Sequence, residues 1–174
     1  MQPNLRPLPS REGENTRKKN FAARRKYAPF ALLIVTLAIL GCARGPCVAI
    51  VAPDGKTRAT VAVEVANNFE QRQHGLMYRK HLDENAGMIF VFADASPRSF
   101  WMHNTVIPLD MIFVNSSFRV VGIVANATPE TDTVRGVAGA SQYVLEVNGG
   151  WCAKNGIEAG DRFDFVNFYP HASE

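Results

Sequence analysis

The sequence contains few cysteines, no apolar run long enough for an ordinary membrane-spanning helix, and none of the common hydrolase motifs. Its leading apolar run, Ala28 to Leu40, has 13 residues, whereas a helix that spans about 30 Å of hydrocarbon needs roughly 20. Neither Gly-x-Ser-x-Gly nor His-Glu-x-x-His occurs, which argues against two common classes of hydrolase. The absence of internal repeats and low-complexity tracts excludes a repeat architecture.

What is present is the composition of one globular domain. The 174 residues are 47% hydrophobic and 20% charged, which is enough to bury a core. Residues 1–41 contain 8 Lys or Arg and 2 acidic residues, whereas the chain from Cys42 onward contains 11 Lys or Arg and 14 acidic residues. Because nucleic-acid binding requires a basic surface, the acidic body predicts no nucleic-acid partner.

The first 41 residues have the features of a bacterial export signal. Two basic clusters, at 17–19 and 24–26, precede the apolar run, which has the length of a signal-peptide core. The run ends in Ile-Leu-Gly-Cys, which resembles the lipobox of bacterial lipoproteins. Residues 1–41 are therefore predicted to be cleaved, and Cys42 is predicted to carry a lipid that anchors the protein to the membrane.

The alternative is an uncleaved anchor over residues 28–43, in a locally thinned bilayer. Both interpretations place the protein outside the cytoplasm, in the periplasm or cell envelope, because the basic flank stays inside. In that oxidising compartment Cys47 and Cys152 can form a disulfide, and a free Cys47 is the other possibility. Residues 42–58 are interpreted as a lipidated tether and turn, and residues 59–170 as a single β domain.

Within the domain the pattern predicts many short strands and little helix. Thr60–Val65 alternates in hydrophobicity, as a half-buried strand does. Asn68 is predicted to cap a short helix that Gly75 ends, and one more helical turn is expected near Trp151. Further strands are predicted over Met88–Phe92, Met111–Val114, Phe118–Val124, Tyr143–Val147 and Arg162–Phe168, with a long surface loop over 125–141. This arrangement predicts a mainly β fold, either a jelly-roll-like sandwich or a partly closed barrel, with one or two short helices.

Several blocks of sequence resemble the family called domain of unknown function 192. They are Gly75-Leu-Met-Tyr-Arg79, Gly87-Met88, Phe90-Val-Phe92, Phe100-Trp-Met-His-Asn-Thr105, Ile107-Pro-Leu-Asp-Met111, Val144-Leu-Glu-Val-Asn-Gly-Gly150 and Gly160-Asp161. The resemblance implies a compact jelly-roll-type fold behind an export leader, and no established activity. Cys152 is a departure, since an alanine is commoner there in such proteins.

The segment from Phe100 to Asp110 concentrates chemically versatile side chains. One interpretation assigns its apolar residues to the core and its polar residues to hydrogen bonds with loop backbone. The other is a binding site for a small molecule or envelope component, such as a sugar or peptidoglycan fragment, in which aromatic rings supply a platform and polar groups supply directional bonds. The candidate ligand-binding residues are Trp101, His103, Asn104, Thr105, Asp110 and Met77.

The same residues are also compatible with two other functions, metal binding and catalysis. Met102 and His103, with Met77, Met88 and Met111 nearby in the sequence, offer the soft ligands that Cu(I) prefers, although no known metal motif is present and no other cofactor is expected. His103, Asp110 and Glu146 could serve an enzyme acting on envelope glycans, but no nucleophile accompanies them. The favoured interpretation is therefore an envelope lipoprotein that acts as a binding or assembly module, and an enzyme is the less favoured alternative.

Overall fold

The computed structural model describes residues 45–173, which form a mainly β domain with two short helices. In chain order the elements are β1 (Cys47–Val51), β2 (Thr57–Ala66), α1 (Phe69–His74), β3 (Ala86–Ser96), β4 (Ser99–Phe100), β5 (Leu109–Val114), β6 (Val120–Ala127), β7 (Arg135–Gly136), β8 (Ser141–Asn148), α2 (Trp151–Asn155) and β9 (Arg162–Val166). Seven strands form one sheet in the order β6-β5-β8-β3-β2-β1-β9, and β4 pairs with β7 separately.

The large sheet curls until its two outer strands meet at one end. An antiparallel bridge joins Arg119 to Arg162, and the Val120 N–H donates to the Asp161 carbonyl at 2.8 Å. The Phe163 N–H donates to the Phe118 carbonyl at 2.8 Å. The predicted mainly β fold is thus confirmed, in the form of a half-barrel, which is the partly closed architecture.

The two faces of the curled sheet bury separate apolar cores, because successive side chains along a strand point to opposite faces. On β3, Ile89 and Val91 belong to the inner core, whereas Met88 and Phe90 belong to the outer core. The inner core fills the half-barrel and includes Trp151, Cys152 and Phe163. The outer core lies under the segments that follow β2 and β4, and it includes Leu76, Leu82 and Met102.

Helix α1 is specified by local sequence, as predicted. The Asn68 side chain accepts a hydrogen bond from the Gln71 N–H at 2.9 Å, and the Gln71 side chain accepts from the Asn68 N–H at 3.4 Å, which completes a capping box. Gly75 ends the helix at φ 52°. A side chain at Gly75 would also meet the Phe90 ring, because an added Cβ would lie 3.2 Å from its Cζ. These contacts hold the turn after α1 against the outer core.

The prediction of a tether over residues 42–58 is wrong for Cys47–Val51. This segment is strand β1, which lies between β2 and β9 with four of its five residues buried. It pairs with β2, which follows it directly in the chain, and with β9 at the other end of the domain. Because the segment adjoins the predicted leader, its sequence was interpreted as a tether. The predicted turn is confirmed by a hydrogen bond from the Ala52 N–H to the Lys56 carbonyl at 2.8 Å.

The predicted disulfide between Cys47 and Cys152 is also wrong. Cys152 is a free thiol, buried in the inner core on α2, whereas Cys47 is disulfide-bonded and lies on β1. The predicted signal peptide and the lipidation site Cys42 lie outside the described residues. Within residues 45–173 no helix is long and apolar enough to cross a bilayer.

Candidate functional site

A cavity of about 470 Å³ opens on the outer face of the sheet. It lies between α1 with its following turn, strand β3, the segment 97–101 and one side chain of β8. Three of the six predicted ligand-binding residues line it, namely Trp101, Thr105 and Met77. The structure therefore brings together half of the predicted set, along with residues that the sequence did not single out.

Aromatic rings form one wall of the cavity. Phe100 packs edge-to-face against Phe90 and Phe92, with ring centroids 5.0 and 6.4 Å apart respectively. Trp101 is 49% exposed and stacks on the His103 ring at a centroid distance of 5.0 Å. Phe69 is 71% exposed and also lines the opening. The wall thus offers a rigid inner surface and a stacking platform near the solvent.

Glu146 is a buried acidic residue that lines the cavity. It lies on β8 opposite Met88 of β3 and Met111 of β5, and it is only 4% exposed. Within the described part of the chain its carboxyl group has no hydrogen bond or ion pair. Its carboxyl oxygens are nevertheless not fully enclosed. Among residues 45–173 only Ser141 Oγ is both fully enclosed and without a hydrogen-bond partner. The Glu146 oxygens also lack a partner, so they must retain some accessible surface. The carboxyl group is therefore available to a ligand.

Burial raises the pKa of the Glu146 carboxyl to about 8. The physical cause is desolvation, which penalises the charged form in an apolar environment. Near neutral pH the group is mostly protonated, so it can donate a hydrogen bond as well as accept one. A carboxyl group with a shifted pKa in a cleft is a typical feature of functional sites.

Two arginines, Arg72 and Arg98, line the cavity close to the Phe92 ring. The Cζ atoms of Arg72 and Arg98 lie 5.3 and 4.0 Å from the centroid of the Phe92 ring. Arg72 Nη1 donates to the carbonyls of Asn67 and Val91 at 2.7 and 3.0 Å. These backbone contacts fix a guanidinium group at the cavity wall.

The other predicted ligand-binding residues have different surroundings and do not line this cavity. Asp110 is fully buried, and its carboxylate accepts hydrogen bonds from the N–H groups of Asn126, Gly150 and Cys152 at 2.7, 2.9 and 2.8 Å. These contacts agree with the other interpretation of residues 100–110, in which polar side chains form hydrogen bonds with loop backbone. Asp110 joins β5 to β6 and to the start of α2.

His103 and Asn104 lie on the surface beside the cavity. His103 Nδ1 lies 2.7 Å from Asp132 Oδ1, and Asn104 Nδ2 donates to the Tyr78 hydroxyl at 2.7 Å. Asn104 has a left-handed backbone at φ 53°, a conformation that asparagine tolerates better than most residues. Both residues support the loop that carries Trp101 and Thr105.

The two candidate metal ligands, Met102 and His103, have opposite environments. Met102 is fully buried in the outer core, whereas the His103 side chain is 45% exposed. Among residues 45–173 no group of three or more His, Cys, Asp or Glu is arranged to hold a metal ion. The Cu(I) alternative depends on methionine as well as histidine ligands, and it stays a prediction.

Comparison with known proteins places the chain among uncharacterised relatives. A solved structure from Sinorhizobium meliloti 1021, described as a candidate transcription regulator, is 35% identical, with a TM-score of 0.66 over 69% of this chain and 92% of that chain. A protein of unknown function from Novosphingobium aromaticivorans DSM 12444 is 39% identical, with a TM-score of 0.63 over 68% of this chain and 83% of its own.

No curated protein matches the sequence. The profile of one family, described as uncharacterized ACR, matches residues 49–165. This match covers every residue that lines the cavity and all buried residues of the two apolar cores except Val48. The chain belongs to the domain of unknown function 192 family.

Proposed function

We propose that this protein is an exported, membrane-anchored binding module whose outer-face cavity takes a saccharide of the cell envelope. The observation that carries the proposal is Glu146, a buried carboxyl group without a partner in the described chain, at an aromatic-walled cavity. A buried polar group is normally hydrogen-bonded, so one left free at an open cavity suits a ligand that supplies the partner.

The cavity has the size and composition of a small-molecule site. Its volume of about 470 Å³ falls in the range of roughly 300–1,000 Å³ that is usual for ligand pockets. Trp101 and Phe69 offer flat apolar surfaces near the opening, and Thr105 and Glu146 offer directional polar groups. A sugar ring has apolar C–H faces and many hydroxyl groups, so it complements both kinds of surface.

Titration calorimetry with N-acetylglucosamine oligomers and soluble peptidoglycan fragments tests this proposal. We expect Trp101→Ala and Glu146→Leu to weaken binding about tenfold or more, because each removes a platform or a hydrogen bond. Tyr169→Ala is the matched control, since Tyr169 is 79% exposed and does not line the cavity. Failure of every fragment to bind the wild-type protein at millimolar concentration would refute the proposal.

The cellular location is tested separately. Metabolic labelling with palmitate should modify the wild-type protein and not the Cys42→Ala variant, which should also fail to be cleaved. Labelling that persists in the variant would remove the lipoprotein part of the proposal without affecting the binding part. Recovery of an uncleaved, unlabelled protein from the membrane fraction would favour the N-terminal anchor.

A second candidate function is catalysis on envelope glycans, favoured by the raised pKa of Glu146. A carboxylic acid kept protonated near neutral pH is suited to general acid catalysis. Incubation with purified peptidoglycan, followed by mass spectrometry of released fragments, tests this function. Fragments released by the wild type and not by Glu146→Gln would support it, and no release by the wild type would leave binding as the function.

We do not propose a nucleic-acid partner for this protein, although the Sinorhizobium relative is described as a candidate transcription regulator. Beyond the leader, acidic residues outnumber basic residues 14 to 11. Binding to DNA requires a concentration of basic groups that can replace counterions on phosphates. We therefore keep a small molecule as the proposed partner.

A further inference from the structure

We propose that the cavity selects an acidic saccharide, whose carboxylate is bound by Arg72 with help from Arg98. This inference rests on the proposed saccharide-binding function and adds the charge of the ligand to it. It follows from the positions of the two guanidinium groups, from their unused donors and from the charge of the cavity lining.

The Arg72 guanidinium group is held in place by backbone carbonyls and has no acidic partner in the described chain. Its two hydrogen bonds, to the carbonyls of Asn67 and Val91, both use Nη1. The remaining N–H groups, on Nη2 and Nε, have no protein acceptor among residues 45–173. A guanidinium group held by backbone and still carrying free donors is suited to bind a carboxylate, for which its planar fork is complementary.

Arg98 supplies a second, partly neutralised cation. Its Nη2 donates to the Asp94 carboxylate at 2.9 Å and to the Asp94 carbonyl at 2.7 Å, while Nε donates to the Ser141 carbonyl at 3.3 Å. Nη1 is not used within the described chain. The Cζ atoms of Arg72 and Arg98 lie 5.3 and 4.0 Å from the centroid of the Phe92 ring, and both residues line the cavity, so both guanidinium groups lie at the same part of its wall.

The balance of charge around the cavity favours an anion. Arg72 and Arg98 line it, and Glu146 is the only acidic residue among the described lining residues. Since burial keeps Glu146 mostly protonated near neutral pH, it does not cancel the positive charge. The protonated carboxyl can instead donate a hydrogen bond to a ligand oxygen, which a second anionic side chain could not do.

The test compares three tetrasaccharides of matched size by titration calorimetry at pH 7 and low salt. They are the neutral N-acetylglucosamine tetramer, an acidic tetramer of alternating glucuronate and N-acetylglucosamine, and the same acidic tetramer with its carboxyl groups reduced to alcohols. We expect the acidic tetramer to bind wild-type protein about tenfold more tightly than the other two. Raising the salt concentration should reduce only this preference.

Substitution of Arg72 then identifies the group responsible. In Arg72→Gln the ratio of the affinity for the acidic tetramer to that for the neutral tetramer should fall to about one, and Arg72→Lys should retain part of the preference. Arg162→Gln is the matched control, because Arg162 is paired with Asp164 on β9 and does not line the cavity.

The outcomes separate the two levels of the proposal. Equal affinities of wild-type protein for all three tetramers would overturn the acidic preference and leave saccharide binding standing. No binding of any tetramer would overturn both. If Arg72→Gln fails to fold, the comparison of acidic and reduced tetramers on wild-type protein still decides the question.

Discussion

At the scale of single residues, Glu146 makes the stability of the protein depend on pH. Burial raises the pKa of its carboxyl from the ordinary value of 4.5 to about 8 in the folded state. Between these values the folded protein retains a proton that the unfolded chain has released. Raising the pH through this window therefore favours the unfolded chain.

We predict that Glu146→Gln removes this pH dependence. In wild-type protein the contribution of Glu146 lowers the free energy of unfolding by up to about 1.4 kcal/mol per pH unit within the window. Urea denaturation at several pH values between 5 and 8, a range inside the window set by burial, measures the difference between wild type and variant. Glu70→Gln, at an exposed position on α1, should keep the wild-type profile. Parallel profiles for wild type and Glu146→Gln would contradict the prediction.

Asp110 has a structural role that can be measured directly. We predict that Asp110→Ala lowers the free energy of unfolding by about 3 kcal/mol or more, since three backbone N–H groups lose a charged acceptor inside the protein. Guanidinium chloride denaturation measures the loss. Asp83→Ala is the control, because the Asp83 side chain is 87% exposed. A loss below about 1 kcal/mol would be inconsistent with this role.

Half of the predicted ligand-binding residues line the cavity, and the sequence missed the most informative lining residue, Glu146, as a ligand group. Trp101 and Thr105 were found because chemically versatile side chains cluster between Phe100 and Asp110, whereas Met77 lies in the separate block Gly75–Arg79. The position of Glu146 at the cavity depends on β8 pairing between β3 and β5, which no local spacing reveals. Its signal was a single charge inside the apolar stretch Tyr143–Val147, which indicates a buried carboxyl group.

At the scale of secondary-structure elements, β3 and β8 approach so closely that Gly87 has no room for a side chain. A Cβ added there would lie 2.5 Å from the Glu146 carbonyl oxygen and 3.1 Å from Val147 Cγ1. We predict that Gly87→Ala costs about 1–3 kcal/mol of stability, because the paired strands must separate. The same shift would displace the Glu146 backbone and weaken saccharide binding.

Thermal denaturation and titration calorimetry check this prediction together. Gly45→Ala is the matched control, since a Cβ added at Gly45 has no heavy atom within 4 Å. An unchanged melting temperature in Gly87→Ala would show that the strands tolerate the methyl group. Reduced affinity with unchanged stability would also contradict the expected cause.

Elements defined by local chemistry were predicted better than elements defined by distant pairing. The capping box around Asn68 specifies α1 within a few residues, so the sequence predicted its bounds. Strand β1 was missed because it adjoins the predicted leader and because one of its two partners, β9, lies at the far end of the domain. The loop over 125–141 was predicted correctly in part, since its only strand residues are the end of β6, the two residues of β7 and the first residue of β8.

At the scale of the whole molecule, β1 joins β9 to the rest of the sheet. We predict that Ile50→Asp prevents cooperative folding, because it places a charge at a fully buried position between Ala59 and Phe163. The expected loss of about 5 kcal/mol or more is comparable to the total stability of a small domain. Circular dichroism and proton NMR should show loss of the native β signal.

Val134→Asp is the control, since Val134 is 65% exposed. It introduces the same charge on the surface and should fold as wild type does. Normal folding of Ile50→Asp would restore the interpretation of this segment as a tether. Unfolding of both variants would mean that added charge, rather than position, causes the defect.

The division of the sheet into two cores has a consequence for how such a protein can diversify. The larger apolar core lies inside the half-barrel, whereas the cavity is built on the opposite face from alternate residues of the same strands and from the segments that cover them. Exchange of the covering segments between relatives can therefore alter the lining of the cavity while the barrel interior stays intact. If the proposed binding function holds, ligand preference can change in this family without a change of scaffold.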